Sequence, residues 1–435
     1  MVAAVALALH VEPLNGPWYW QWPWRRIDAL RIVPAMALAA LPFFAAQWLR
    51  ARGTLGDGGA LALVALSTFL LEGVAIAIQG PGFELGRIVF AVQHPVITSY
   101  FTDAMALDGV AASLARYPEL MGELHLHSIN KPPGPVLYYK GWLALLTPFR
   151  AALLGGLAIG VLAAAAVPAT FALARRLGAG REAAFAAASY LALCPGLVLF
   201  FPEFDQAYPL LTCGLVGSLS LALDTGRARW ALALGGLLFV AAFFSFGLGV
   251  LGVFMAGQVG VWLWRNKGRD RVRVARPLLL AGLCLAALYG ALYLATGYDP
   301  MATFDAAVAN QARHSLTLGR PWPATVVFDL WDFALGTGWM SFLLVGFWLA
   351  RRRGARPRLE TDPMVWLVVA QVAVVAVGGL IPVETARVWL FLVPLWVLPV
   401  GLELARFRPA ARLSVFVALW VLLVLVGQNL VFLGA

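Results

Sequence analysis

The residues able to do chemistry fall in a few short stretches. Tyr100-Phe101-Thr102-Asp103-Ala104 offers a carboxylate between apolar anchors, and His125-Leu126-His127-Ser128-Ile129-Asn130-Lys131-Pro132-Pro133-Gly134-Pro135 offers imidazoles and an ammonium. A carboxylate held near a membrane surface can take a proton as a general base, and an ammonium can meet a phosphate through a charge-assisted hydrogen bond. Asp103 has a plainer use as the cap of a helix beginning at Ala104, and Glu84 is the next acid upstream. Three prolines remove donors and fix φ, so 131–135 is expected as a rigid extended turn that aims Lys131 outward, or simply as a helix breaker. Glu123, His125 and His127 alternate: on an extended segment they share a face and could bind a divalent metal, whereas on a helix they diverge. Glu203, Asp205 and Gln206 lie in one short connection, and Arg313, His314 and Arg320 lie near one another. Glu384 and Arg387 stand at i and i+3, the spacing of a pair on one helical turn. Gly80-Pro81-Gly82-Phe83-Glu84-Leu85-Gly86 is glycine-rich, but it misses the dinucleotide fingerprint and follows an apolar run rather than a strand.

The elements that must position these groups are membrane spans. The chain has 435 residues, 61% hydrophobic and 12% charged, with a mean hydropathy of +0.81. A water-soluble globular chain with that composition would expose large apolar patches, so a soluble enzyme is excluded. Apolar runs of crossing length are expected at 28–50, 58–79, 151–174, 183–201, 207–224, 230–246, 248–264, 277–295, 335–350, 364–381, 388–404 and 413–432. The run from Trp230 to Trp264 is divided because Arg stands at both ends, and it is expected to turn at Ser245-Phe246-Gly247. Six short connections, at 50–52, 175–181, 227–229, 265–276, 351–358 and 406–412, hold about two-thirds of the 32 basic residues and mark the cytoplasmic side. The net charge of +10 is therefore topological, and nucleic-acid binding is not expected. Arg25, Arg26 and Arg31 flank the first span on the opposite side, against the rule, beside the aromatic run Trp18-Tyr19-Trp20-Gln21-Trp22-Pro23-Trp24, which reads as an interfacial belt. Two connections exceed ordinary loop length, Gly80 to Arg150 and Thr296 to about Ala334, and both fall on the external side. All five histidines map there too, so chemistry is expected on that face. Cys194, Cys213 and Cys284 sit in apolar runs with no paired spacing, which excludes a disulfide framework and cysteine metal sites. Glu72 lies within an apolar run, where it is expected to be paired or protonated.

A large external loop with an acid in it, followed by a Lys-Pro-Pro run at the return to the membrane, resembles the polyprenyl-phosphate-sugar-dependent glycosyltransferases of the GT-C fold. Protein-mannosyltransferase and aminoarabinose-transferase relatives are the nearest in pattern. Pro202-Glu203-Phe204-Asp205-Gln206-Ala207-Tyr208-Pro209, His314 to Pro321, and Glu384-Thr385-Ala386-Arg387-Val388-Trp389-Leu390-Phe391 extend the resemblance over most of the chain after residue 80. Their order and common side carry it. The family typically places one span before the loop, whereas this sequence has two.

The resemblance implies an all-α polytopic membrane protein with a GT-C-like bundle of about twelve spans. Its expected divisions are an external N-terminal segment (1–27), two spans (28–79), an external catalytic loop that re-enters the membrane (80–150), a bundle (151–295), a second external loop (296–334) and a C-terminal bundle (335–435). The implied activity is inverting, metal-independent transfer of a sugar from a polyprenyl-phosphate donor to an externally exposed hydroxyl on a lipid, glycan or protein. Asp103, with Glu84 as second choice, would take the acceptor proton. Lys131, Arg387, Arg313 and Arg320 would hold the donor phosphate, and Glu203, Asp205, Gln206, His127, His314 and Glu384 would contact sugar or acceptor. Arg-rich, Lys-poor usage fits a bacterial cell membrane. A twelve-helix transporter or lipid flippase is the alternative, but it would call for pseudo-symmetric halves and polar residues through the midplane. A non-catalytic scaffold is a third reading.

Overall fold

The computed structural model of the chain describes residues 26–79, 83–266, 272–317, 322–352, 361–382 and 384–430, without the side chains of 314–317. The described residues form helices and no strand. Hydrocarbon demands this, because a helix satisfies its backbone N–H and C=O groups internally. Eight helices are long and apolar enough to cross a membrane: Ala29–Ala51, Asp57–Ala77, Pro148–Arg176, Phe204–Thr225, Phe246–Arg265, Val272–Thr296, Thr385–Leu404 and Pro409–Asn429. A ninth arises if Ala324–Thr337 and Met340–Arg352, bent by 104° at their break, make one crossing, and Ala228–Phe244 and Asp362–Val377 are shorter apolar helices. The chain is a helical multi-pass membrane protein.

Of the twelve expected spans, eight coincide with these helices and a ninth with the bent pair, whereas 183–201, 230–246 and 364–381 fall on shorter helices, and two stretches differ in continuity. The stretch 183–201 is divided into Arg181–Ala192 and Pro195–Leu199, because Pro195 lacks the N–H that a continuing helix would use. The helix before 335–350 begins already at Ala324, and the bend follows its end at Thr337. The aromatic run 18–24 and Arg25 lie outside the described residues. Arg31 has a structural use: its guanidinium donates to the Ile78 carbonyl, at a helix end whose last carbonyls have no intrahelical partner. A basic residue at that end of the first span is thus accounted for without any topological role.

The chain divides into two compact units, Met1–Ile88 with Leu157–Cys213 and Pro321–Gly434, and Val89–Gly156 with Gly214–Arg320. In the first, Arg181–Ala192 is buried from Ala183 to Ala192 and packs against the almost fully buried Val393–Leu404. Gly401 permits that approach, since a Cβ there would stand 2.3 Å from the Ala183 carbonyl oxygen. Gly401→Ala should therefore lower stability by about 1–3 kcal/mol, the usual cost of overpacking. Gly217→Ala, at a position where the added carbon would meet no neighbouring atom of the described residues within 4 Å outside its own helix backbone, should show no loss when both are melted in nanodiscs.

A polar network ties helix ends in this unit. Arg50 bonds Asp57 at 2.8 Å and Glu182 at 2.6 Å, Arg412 bonds Glu182 at 3.1 Å, and Arg181 also reaches Asp57. The Arg50 hydrogen bond, with charge from Arg50 and Arg412, holds the Glu182 carboxyl below its usual range against a smaller opposing effect of burial. A lowered folded-state value means the contribution is complete above about pH 4.3, the ordinary glutamate value, and drains away as pH falls through the lowered value. Half-exposed pairs of this kind contribute less than about 1 kcal/mol each. The melting-temperature gap between wild type and Glu182→Gln should accordingly be small but measurable at pH 7, and should close on acidification below pH of about 4.

The second unit carries the long loop. Tyr100–Ala106, Val110–Ala115, Tyr117–Leu120 and the 3-10 turn Met121–Glu123 lead to the Gly134–Leu145 helix. Leu114, Tyr117, Met121, Tyr298 and Ala307 form the buried floor beneath them. Phe243 meets the Tyr298 ring edge-on at 5.9 Å between centroids, and Phe239 meets Tyr289 at 4.8 Å. The loop therefore rests on an aromatic base from the Ala228–Phe244 and Val272–Thr296 helices and the residues that follow.

Candidate functional site

Asp103 lies inside the Tyr100–Ala106 helix, whose N-cap is Ser99. The capping use is thus overturned, and the side chain is directed elsewhere. Its Oδ1 lies 2.6 Å from Nδ1 of His125, and the His125 backbone N–H stands 3.4 Å from both carboxylate oxygens. Asp103 is 3% exposed, whereas the His125 side chain is 46% exposed. Ser99 keeps this arrangement in register. Its backbone has φ 62°, a conformation costing a non-glycine residue about 1–3 kcal/mol. Its hydroxyl donates to the Pro95 carbonyl at 2.7 Å and accepts from the His127 backbone N–H at 3.2 Å. The His127 ring in turn meets the Val96 carbonyl at 3.0 Å. Residues 125–127 are thereby stitched to the turn at 95–99 and to the helix holding Asp103.

The alternation at Glu123, His125 and His127 does not gather three ligands. Glu123 ends a 3-10 turn while His125 and His127 engage different partners. Among the described residues no group of three or more His, Cys, Asp or Glu side chains is placed to hold a metal ion.

The expected extended turn at 131–135 is half right. Lys131 to Pro133 are not helical, but Gly134-Pro135 already opens the Gly134–Leu145 helix, because a proline in the first turn gives up an N–H that would have no partner. Gly134 must be glycine here: a Cβ would lie 2.3 Å from the Phe243 carbonyl oxygen. That approach brings Lys131 to the end of the Ala228–Phe244 helix, where Nζ donates to Ser245 Oγ at 3.3 Å. Tyr117 donates its hydroxyl to the Lys131 carbonyl at 3.3 Å. Burial, with Tyr298 and Asp103 nearby, pushes the Tyr117 phenol well above its usual range, so it stays a neutral donor.

The Pro300–Thr317 helix meets the same loop. Asn310 Nδ2 donates to the Ile129 carbonyl at 2.6 Å, Arg313 donates to Asn310 Oδ1, and Asn130 donates to Gln311. Arg313 is therefore tied to the 129–131 segment through Asn310, and Lys131, in that segment, reaches Ser245. His314 belongs to this helix, its side chain lies outside the description, and Arg320 lies outside the described residues.

A second cluster belongs to the first unit. Arg387 Nη1 bonds Glu203 at 3.1 Å, Nε faces Asp205 at 3.6 Å, and Nη2 bonds Glu384. The expected Glu384 pair is present, and two further carboxylates join it. Arg387, Glu203 and Asp205 are buried, and Glu384 is partly open. Asp332 supports the short Thr385–Val388 helix from below, accepting from the Ala386 N–H at 2.9 Å, while Thr385 donates to the Asp329 carbonyl at 2.5 Å. Gln206 is fully buried, with its amide donating to the Leu197 carbonyl, so its contacts are internal. Glu84 is exposed, its backbone N–H bonded to the Ala77 carbonyl at 3.0 Å.

The structure thus gathers Asp103, His127, Lys131 and Arg313 around one loop, and Glu203, Asp205, Glu384 and Arg387 around one guanidinium. The sequence reading missed the partnership of His125 with Asp103, which no spacing announces. It also missed Asp329 and Asp332, whose i and i+3 spacing was the available signal. No protein-family model and no curated protein matches this chain.

Proposed function

We propose that this chain is a membrane-embedded inverting glycosyltransferase of the GT-C type, with twelve crossings, transferring a sugar from a polyprenyl-phosphate donor to a hydroxyl acceptor outside the cytoplasm. The observation that carries the reading is the buried Asp103 carboxylate, held against a half-exposed imidazole in a loop between spans. A proton-abstracting group must be positioned rigidly, and the strained Ser99 turn provides that rigidity. Lys131 and Arg313, cations at the same loop, are assigned to the donor phosphate, whose charge grows as the sugar departs. Arg387 is assigned instead to holding Glu203 and Asp205, since its guanidinium is already committed to carboxylates. The reaction in this reading needs no metal.

The test is transfer in proteoliposomes from undecaprenyl phosphate carrying radiolabelled mannose, glucose, galactose or arabinose, with native membrane extract as acceptor. Label moving from donor to a chloroform-insoluble or glycolipid product supports the reading, and an inert donor panel defeats it. A transporter is the second reading, favoured by Glu72, a fully buried carboxyl within the Asp57–Ala77 span that has no hydrogen-bond partner among the described residues. Donor unchanged chemically but moved across the bilayer would select it.

Sidedness has its own check. Ser128 is buried, so the reporter belongs at Leu126, which is 45% exposed. A cysteine at Leu126 should react with an impermeant thiol reagent in intact cells, and one at exposed Arg52 only after lysis. Equal labelling of both would remove the topology.

A further inference from the structure

The carboxylate and the imidazole do not share the loop site equally. Asp103 is 3% exposed and enclosed by its own helix and by residues 125–127, so an acceptor hydroxyl has little approach to it. The His125 ring is 46% exposed and turns Nδ1 inward at 2.6 Å from Asp103 Oδ1. A carboxylate oxygen can only accept, so the hydrogen between these atoms resides on Nδ1. The remaining ring nitrogen, Nε2, then carries a lone pair and lies on the far side of the ring from the buried carboxylate. A nitrogen lone pair on a partly exposed ring, with its tautomer and orientation fixed from behind, is the arrangement a general base requires.

Resting on the glycosyl-transfer reading above, we infer that His125 is the catalytic residue that touches the acceptor, and that Asp103 is its positioning residue. As the acceptor oxygen forms its bond to the anomeric carbon, the bond from that carbon to the phosphate oxygen breaks, and its electron pair leaves with the polyprenyl phosphate. The acceptor proton passes to Nε2 of His125. The imidazolium so formed keeps Nδ1–H on Asp103, whose negative charge stabilises it. Ser99 and the His127 backbone hold the segment that carries the ring, and Asp103 holds Nδ1.

Three variants in the proteoliposome assay decide between the two groups. His125→Ala should lose at least about 100-fold in turnover with little change in donor KM, the scale of a lost general base. Imidazole added to the buffer should restore at least about tenfold of that loss, because the truncated side chain leaves room for the free base to do the same proton transfer. Imidazole should restore nothing in Asp103→Asn, where the His125 ring still occupies the place. Asp103→Glu should recover part of the turnover lost in Asp103→Asn, since it returns a negatively charged acceptor for Nδ1–H. If His125→Ala proves unstable, His125→Asn keeps an N–H near the Nδ1 position and lacks Nε2, and it should be folded and equally slow. His125→Ala with near-normal turnover beside an inactive Asp103→Asn would overturn the inference, make the carboxylate itself the base, and leave the glycosyltransferase reading standing. Failure of imidazole to raise His125→Ala would also overturn it. Wild-type protein inactive with every donor removes the enzyme reading, and this inference with it.

Discussion

Asp103→Asn is expected to reduce sugar transfer by at least about 100-fold, the scale on which proton abstraction matters. The amide keeps the size of the carboxylate and can still bond within the loop. It lacks the negative charge that stabilises a protonated His125 ring. The bonds from Ser99 to Pro95 and His127 do not involve this residue. The variant should therefore elute as a monodisperse species and melt close to wild type while turning over slowly. Near-normal transfer would show that the buried carboxylate has no part in the reaction. If Glu84→Gln were then inactive, the exposed acid at the start of the loop would take the role given to the Asp103–His125 pair, and the glycosyl-transfer reading would survive.

Arg387→Ala is expected to have the largest effect on stability, about 3–5 kcal/mol, because it leaves the buried Glu203 and Asp205 facing one another without the guanidinium between them. Neutralising those carboxylates with the added changes Glu203→Gln and Asp205→Asn should recover most of the loss. The coupling marks the effect as electrostatic rather than as lost packing. Thermal unfolding of the single and triple variants in nanodiscs measures it. A single variant as stable as wild type would mean that the cluster carries no net attraction, and the triple variant would then gain nothing.

The helical architecture was legible in the residues because one force dominates it. Apolar runs between arginine clusters leave the backbone no alternative to helix, and the expected turn at Ser245-Phe246-Gly247 falls where the Ala228–Phe244 helix ends and a 3-10 turn begins. Breaks inside spans were harder to see. Gly338-Trp339 looks like ordinary apolar sequence, yet the helices on either side bend by 104°. Asp103 and Lys131 could be singled out as chemical types, but their partners could not. The approach of His125 to Asp103 depends on a serine at φ 62°, and that of Lys131 to Ser245 on a glycine facing the Phe243 carbonyl. Glu203 and Asp205 stand far from Arg387 in sequence, and only the fold brings them together. Periodicity reports burial, whereas such pairings are set by tertiary geometry.

The Val272–Thr296 helix packs against Ala228–Phe244, yet only 6% of its most apolar stretch is buried within the protein. Leu279, Leu283 and Leu294 project from it at 57% exposure or more. In a bilayer that surface is wetted by acyl chains, so the annular lipid takes the place that a second layer of side chains would fill in a water-soluble domain. The solvating amphiphile is then a structural component of the second unit. A detergent whose tail is shorter than the helix's hydrophobic length leaves part of this surface poorly matched. Hydrogen exchange should accordingly report fraying of 272–296 ahead of the buried Val393–Leu404 helix, and the ranking should follow tail length rather than headgroup charge.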